Sequence, residues 1–487
     1  MTKLSLFSTL NLFLALFLCP GTSSFASAKD ASHHYFQILA ADILPSARSL
    51  CKAGEGLRST YQQGRGALKL VHRHGPCSPF SGIGGSAANG SQLTLTEVLQ
   101  QDQSRVQWIH SRASSSPSDN KQVQDPFQAE ATTQLPARPG ASLSTLNYVV
   151  TVGLGTPKQA FNLAFDTGSD LTWVQCEPCI SCYPQQGARF NPAFSSTYQR
   201  VSCTAPECAE AKLESGLNQC SASGCLYGIV YGDNSVTVGQ LSRDKLTLTG
   251  SDVLPGFTFG CGQKNQGIFG MVGGLLGLGR TQLSVVSQAR NKYGGVFSYC
   301  LPTSNGVGHL TFGPDRSSFS SARFTPLLPH SKFYFVPLAG MSVGGRLLPV
   351  SPSAFGSQGT VLDSGTVITR LPPAAYSALR SAFRDFMAQR KYPLAPAATL
   401  LDTCYDLSSY TAIEIPKIAF HFQGGTDLVL NAANILLASS LSQVCLAFAG
   451  NTKAADPGII GNWQQKTTLV VHDIPNSKIG FGQGACS

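Results

Sequence analysis

Two short stretches of the chain carry the same chemistry: Asp166-Thr167-Gly168-Ser169 and Asp363-Ser364-Gly365-Thr366. Each Asp closes an apolar run, 161–165 in one case and Val361-Leu362 in the other, and precedes a small hydroxyl residue and a glycine. One Asp at a strand end is an ordinary turn residue. The same turn repeated with the same flanks is what two half-sites meeting face to face would require. Two carboxylates at one site cannot both ionise easily, so they share a proton and divide acid and base work. The ionised carboxylate takes a proton from a water held between them, while the protonated one hydrogen-bonds the carbonyl under attack. The shared proton belongs to the pair rather than to either residue.

A second repeated signal accompanies the first. Gly274-Leu275-Leu276-Gly277-Leu278-Gly279 follows the first turn, and Gly458-Ile459-Ile460-Gly461 follows the second. An apolar pair ending in Gly allows another backbone to approach closely, as where a strand threads beneath a turn. The Gly-x-Gly-x-x-Gly spacing of the first segment also matches a dinucleotide loop, but no βαβ pattern surrounds it. Likewise Gly340-Met341-Ser342-Val343-Gly344 matches the G-x-S-x-G of serine hydrolases. That motif needs a strand-to-helix elbow. With Gly345, Pro349 and Pro352 following, a hairpin is expected instead.

The elements that must position these turns are mostly strands. Apolar β-rich runs at 148–154, 161–165, 171–175, 226–231, 244–249 and 257–259 precede Cys300, and a second series follows at 309–312, 333–338, 359–362, 418–422, 443–448, 467–473 and 478–481. One helix stands out at 373–391, with Tyr376, Leu379, Phe383 and Met387 on one face. With 49 Gly, 28 Pro and only 13% charged residues, the chain reads as a duplicated all-β protein of two lobes, 143–330 and 331–487.

The N-terminal 142 residues differ. Lys3, an apolar run at 4–18 and Ala26-Ser27-Ala28 form a secretory signal pattern, giving an expected signal peptide at 1–28. A plastid transit peptide is the alternative, because serines are frequent and the first acidic residue is Asp30. No later segment is long and apolar enough for a membrane span, so a soluble product is expected. Residues 29–142 read as a pro-segment: a strand at 67–72, a helix opened by Thr94-Leu95-Thr96-Glu97 and running to about 112, and a Ser/Pro/Ala/Gln-rich tether at 111–142. On the helix, Leu95, Val98, Leu99, Val106 and Ile109 lie on or near one face, and Asn89-Gly90-Ser91 is a glycosylation sequon. The net charge of +9 is spread thinly and contains no basic run, so nucleic acid is not an expected partner.

Of the 15 cysteines, twelve fall after residue 142: Cys176, Cys179, Cys182, Cys203, Cys208, Cys220, Cys225, Cys261, Cys300, Cys404, Cys445 and Cys486. An even set of this density fits disulfides in an oxidising compartment. Cys176, Cys179 and Cys182 have metal-like spacing, but no His or further C-x-x-C pair completes a zinc site. Neither a metal nor another cofactor is expected.

On these motifs, residues 147–484 resemble the pepsin-like aspartic proteases. Trp173, seven residues after Asp166, and Tyr231-Gly232-Asp233 also match that family, in which the tyrosine lies on a flap closing over the substrate. Asp233 stands where many members have Thr or Ser, and Gly461-Asn462 replaces the common Gly-Asp. The four cysteines 203, 208, 220 and 225 before the flap resemble the plant nepenthesin-like branch. Residues 68–79 resemble a subgroup that includes extracellular members and a chloroplast nucleoid DNA-binding protease. The resemblance implies a monomeric, acid-active aspartic endopeptidase acting on proteins or peptides, secreted to the apoplast as a zymogen that its own propeptide inhibits. It implies that Asp166 and Asp363 are catalytic, that Thr167 and Ser364 brace the turns, and that Gly168 and Gly365 keep them tight. Ser169 and Thr366 would donate to the outer carboxylate oxygens. The pairing it implies is Cys176–Cys179, Cys182–Cys261, Cys203–Cys225, Cys208–Cys220, Cys300–Cys486 and Cys404–Cys445. The alternatives on the same fold are a binding or inhibitor protein and a plastid protease that also binds DNA.

Overall fold

Strands that are apolar on both faces must be covered on both sides, and the strand Tyr148–Leu154, buried at every residue but Thr151, is such a strand. The computed structural model describes residues 34–39, 67–73, 77–80, 95–113, 148–215, 220–250, 252–303, 306–356 and 358–483. The expected signal peptide, Asn89, the tether beyond Ala113 and Cys486 lie outside the described residues. Among the described residues, no helix is long and apolar enough to cross a membrane.

The chain folds into two β lobes. A large sheet runs from Arg323–Pro326 through Lys478–Gln483, Thr468–Asp473, Val296–Cys300, Val307–Phe312 and Ala67–His72 to Tyr148–Leu154, Gln159–Asp166, Gly274–Gly277 and Trp173–Gln175. It continues into the long antiparallel pair Val236–Thr247 and Val253–Gln266. Strands from both sides of residue 330 thus share one sheet, which ties the lobes together. Ala67–His72, from the N-terminal segment, is integral to it, pairing with Val307–Phe312 on one side and Tyr148–Leu154 on the other.

The duplication is visible in the threading. Gly274–Gly277 runs parallel to Gln159–Asp166 and antiparallel to Trp173–Gln175, with Gly277 level with Asp166. In the second lobe Gly458–Ile460 runs parallel to Thr360–Leu362 and antiparallel to Thr369–Leu371. The closing glycines are dictated by contact: a Cβ on Gly461 would lie 2.5 Å from the Val367 carbonyl oxygen.

The disulfides correct part of the expected pairing. Cys404–Cys445 is as expected, but Cys176 bonds Cys261 and Cys179 bonds Cys182. The reason is register. Trp173–Gln175 runs parallel to Val253–Gln266, bringing buried Cys176 beside buried Cys261, while Cys179 and Cys182 share one surface turn. In the insert before the flap, Cys203 bonds Cys220 and Cys208 bonds Cys225. Cys220 and Cys225 are cross-strand neighbours, and burial sorts them: Cys225 meets Cys208 in the interior, leaving Cys220 for Cys203 outside. Cys77 and Cys300 each take part in a disulfide as well.

The Pro373–Gln389 helix starts on a proline already set to helical φ and buries Ala375, Tyr376, Leu379, Phe383 and Met387 on one stripe. Truncating fully buried Phe383 to Ala should cost about 3–5 kcal/mol, read as a lowered thermal midpoint. An unchanged midpoint would show that this helix is not part of the cooperative core.

Candidate functional site

Both Asp turns sit at strand ends beneath which a glycine-bearing strand passes, and the lobes bring them together. The turns grip each other reciprocally: the Thr167 amide donates to Ser364 Oγ (3.0 Å) and the Ser364 amide to Thr167 Oγ1 (2.9 Å). Asp166 and Asp363 are 0% and 1% exposed. Burying two carboxylates is costly unless their oxygens are hydrogen-bonded, and here they are. Asp166 accepts from the Gly168 amide (2.9 Å) and the Ser169 hydroxyl. Asp363 accepts from the Gly365 amide (3.3 Å), and from the Thr366 amide (2.8 Å) and hydroxyl (2.6 Å). The Asp363 main chain is fixed from below by Gln465, whose Nε2 donates to its carbonyl at 3.1 Å. Asn462 supports the neighbouring turn, donating Nδ2 to the Ser364 carbonyl at 2.9 Å. Asn at this position therefore serves the turn through its amide group.

The flap residues lie above. Trp173 Nε1 donates to Tyr231 Oη at 2.8 Å, so the two residues act as one unit, packed edge-on against Phe269. Asp233 closes the flap turn by accepting the Ser235 amide at 2.9 Å, next to Asn234 with φ 63°. This is a local turn brace of the kind Asp supplies well.

The propeptide is the expected inhibitor, but the sequence reading names neither Arg105 nor Asp102. The Leu95–Ala113 helix of the N-terminal segment lies in the cleft, and Arg105 reaches both carboxylates. Its Nη2 donates to Asp166 Oδ1 (2.6 Å) and Asp363 Oδ1 (2.9 Å), its Nη1 to Asp166 Oδ2 (3.2 Å) and its Nε to Asp363 Oδ2 (2.9 Å). Burial alone would raise the Asp363 pKa, but the Arg105 charge and its hydrogen bonds, with those from Thr366 and Gly365, outweigh it and hold the group below its ordinary value. One turn earlier Asp102, fully buried, pairs with Arg370 at 2.9 Å and accepts the amides of Val367 (2.6 Å) and Ile368 (3.1 Å). Leu99 packs near Val367 and Ile368, while Val106 and Ile109 pack with Phe333, Phe335 and Val361. The signal for this face was present in the spacing: 99, 102, 105, 106, 109 and 113 are the buried positions. Two charged residues fell in phase with an apolar stripe, and a reading confined to apolar residues passed over them.

The Ser342 motif is a hairpin, as expected, with Ser342 in mid-strand facing Ala419 and Leu347. Its hydroxyl lies 2.9 Å from His421 Nε2, and His421 Nδ1 lies 2.8 Å from Asp427. The order of groups is that of a hydrolase triad, but the serine sits in a regular ladder on the outer sheet rather than on an exposed elbow with converging amides. It is a polar surface network. The cysteines of the metal-like spacing are all in disulfides.

Asp170, next to Ser169, is pushed up to about 6, chiefly by burial and against a hydrogen bond from the Thr281 amide. The folded protein then holds this proton more tightly than the unfolded chain, so the group's contribution to stability falls as pH rises from about 4 to about 6. Replacing Asp170 by Asn should remove that slope from urea midpoints measured across the window. An identical slope in the variant would contradict the assignment.

The chain is similar to known proteins along most of its length. Residues 148–314 match the family model described as xylanase inhibitor N-terminal, and residues 333–483 the one described as xylanase inhibitor C-terminal. The chain is 44% identical to an aspartyl protease family protein of Arabidopsis thaliana, covering 98% of each chain. It is 36% identical to aspartic proteinase nepenthesin-1 of Nepenthes gracilis, over 70% of this chain and 78% of that one. Among solved structures it superposes on basic 7S globulin from soybean with a TM-score of 0.55 at 20% identity, covering 69% of this chain and 92% of the other. At that identity the likeness shows the fold alone.

Proposed function

The chain belongs to the pepsin-like aspartyl protease family, and from that premise we propose that it is a secreted aspartic endopeptidase made as a zymogen, with Asp166 and Asp363 as its water-activating pair. The observation that carries this reading is that two buried carboxylates, braced turn to turn, direct their oxygens at one shared cation in the cleft. With the guanidinium gone, a water takes that place. One carboxylate acts as general base toward it, and the protonated partner donates to the scissile carbonyl as its oxygen gains charge. Gly168 leaves the space for this exchange, since a Cβ there would lie 2.6 Å from Arg105 Nη2. The disulfides support an oxidising compartment, and with the N-terminal signal pattern they favour secretion. Replacing Asp166 or Asp363 by Asn should lower peptide hydrolysis by about 10²–10⁴-fold, with the circular dichroism spectrum unchanged. Full activity in either variant would sink the proposal.

Residues 29–142 act in this reading as the propeptide, and the Leu95–Ala113 helix as the inhibitor. Acid favours its departure through linked protonation. Asp363 is held low by Arg105, and His110, on the same helix, is lowered by burial against the opposing pull of Asp456. Both bind protons more tightly once the helix leaves, so proton uptake is linked to opening. Asp102, raised by burial, opposes them. Incubating the proenzyme over a range of pH, with and without pepstatin, should show pepstatin-sensitive processing only on acidification, with a new N-terminus beyond Ala113. Arg105→Gln should move the onset of activity of the unprocessed chain to higher pH. An onset unchanged in that variant would show that Arg105 does not hold the zymogen shut.

A further inference from the structure

Arg370 stands on the strand Thr369–Leu371, between Gly458–Ile460 and Phe448–Gly450, directly after the Asp363 turn. Its side chain is 1% exposed. Nη1 donates to the Ile368 carbonyl at 2.8 Å, Nη2 to Asp102 at 2.9 Å, and Nε has no hydrogen-bond partner. Among the described residues, Asp102 is the part of this cluster that the N-terminal segment supplies. Everything that holds its carboxylate, the guanidinium and the amides of Val367 and Ile368, belongs to the protease body. Removal of the helix uncovers a cation without its counter-ion beside two amides without their acceptor. Breaking one side of a buried ion pair is strongly unfavourable unless another anion takes its place.

Resting on the aspartic endopeptidase reading, we propose that Arg370 with the Val367 and Ile368 amides is a substrate subsite for an acidic side chain, and that Asp102 occupies it as a surrogate for the substrate carboxylate. The donor set suits a carboxylate, since it combines a planar guanidinium fork with main-chain N–H groups. Arg370 also borders a cavity of about 430 Å³ between the helix and the 450–456 loop. The location fits a peptide in the cleft. Asp102 and Arg105 are three residues apart on one helix, hence about 5–6 Å apart at their Cβ atoms, and an extended chain advances about 3.3 Å per residue. The acidic side chain therefore falls within about three residues of the scissile bond. Asp456, which contacts His110 at 3.4 Å, is the rival occupant from the protease body.

The test profiles the acid-matured enzyme on a peptide library at about pH 5.5, above the ordinary Asp pKa of about 4. Matched peptides carrying Asp or Asn at the selected position are then compared. The wild type should enrich Asp or Glu at one position within three residues of the cut, and kcat/KM should favour the Asp peptide about ten- to hundredfold, mainly through KM. Arg370→Met should bring that ratio near one, and Arg370→Lys should leave it intermediate. Peptide cleavage by the wild type without acidic enrichment overturns the subsite and points to Asp456 as its occupant. A ratio preserved in Arg370→Met overturns it as well. The peptide comparison in the wild type stands even where a variant fails to fold. No cleavage by the wild type at any pH would overturn the underlying reading, and the subsite with it.

Discussion

Two carboxylates cannot be buried against each other in a β-sheet interior without donors for their oxygens and something to offset their charge. Most of what is distinctive in this fold follows from meeting that requirement. Gly168, Ser169, Gly365 and Thr366 supply the donors from within the turns themselves. The exchange of hydrogen bonds between Thr167 and Ser364 fixes one turn against the other. Gly277 and Gly461, which close the strands passing beneath, must lack side chains because the turns leave no room for a Cβ there. Charge compensation comes from elsewhere in the chain, in the guanidinium of Arg105.

That last contribution couples the resting state to the chemistry. The helix carrying Arg105 fills the cleft with a cation between the two Asp carboxylates and with a carboxylate, Asp102, on Arg370. The flap closes over it too, since a Cβ on Gly232 would lie 2.5 Å from Trp108 Cβ. The inhibition proposed above would need no distortion of the two Asp turns. They are already braced, and opening is a matter of displacing one helix held by two buried charge clusters and an apolar stripe.

Much of this was legible in the sequence, for physical reasons. Repeated Asp turns and repeated apolar-apolar-Gly segments are local patterns, and the strands they mark lie where expected, Gln159–Asp166 and Thr360–Leu362 ending at the two Asp turns and Gly274–Gly277 and Gly458–Ile460 passing beside them. The Pro373–Gln389 helix was readable from its apolar spacing. The disulfide pairing was not, because it depends on strand register and on which cysteines the insert turns inward. Cys176–Cys261 joins residues 85 apart, which only the sheet brings together. Arg105 and Asp102 were missed for a related reason. Their partners lie 61 to 268 residues away in sequence, and a charged residue on a helix reads as solvated until those partners are in place.

The central claim is that the Asp166 and Asp363 pair binds a substrate-like ligand only after the Arg105 helix has gone. Calorimetric titration of pepstatin into the uncleaved proenzyme at neutral pH and into the acid-matured enzyme tests it most directly. The account predicts one equivalent bound by the matured enzyme and none by the proenzyme. Equal binding by both, or binding by neither, would contradict it.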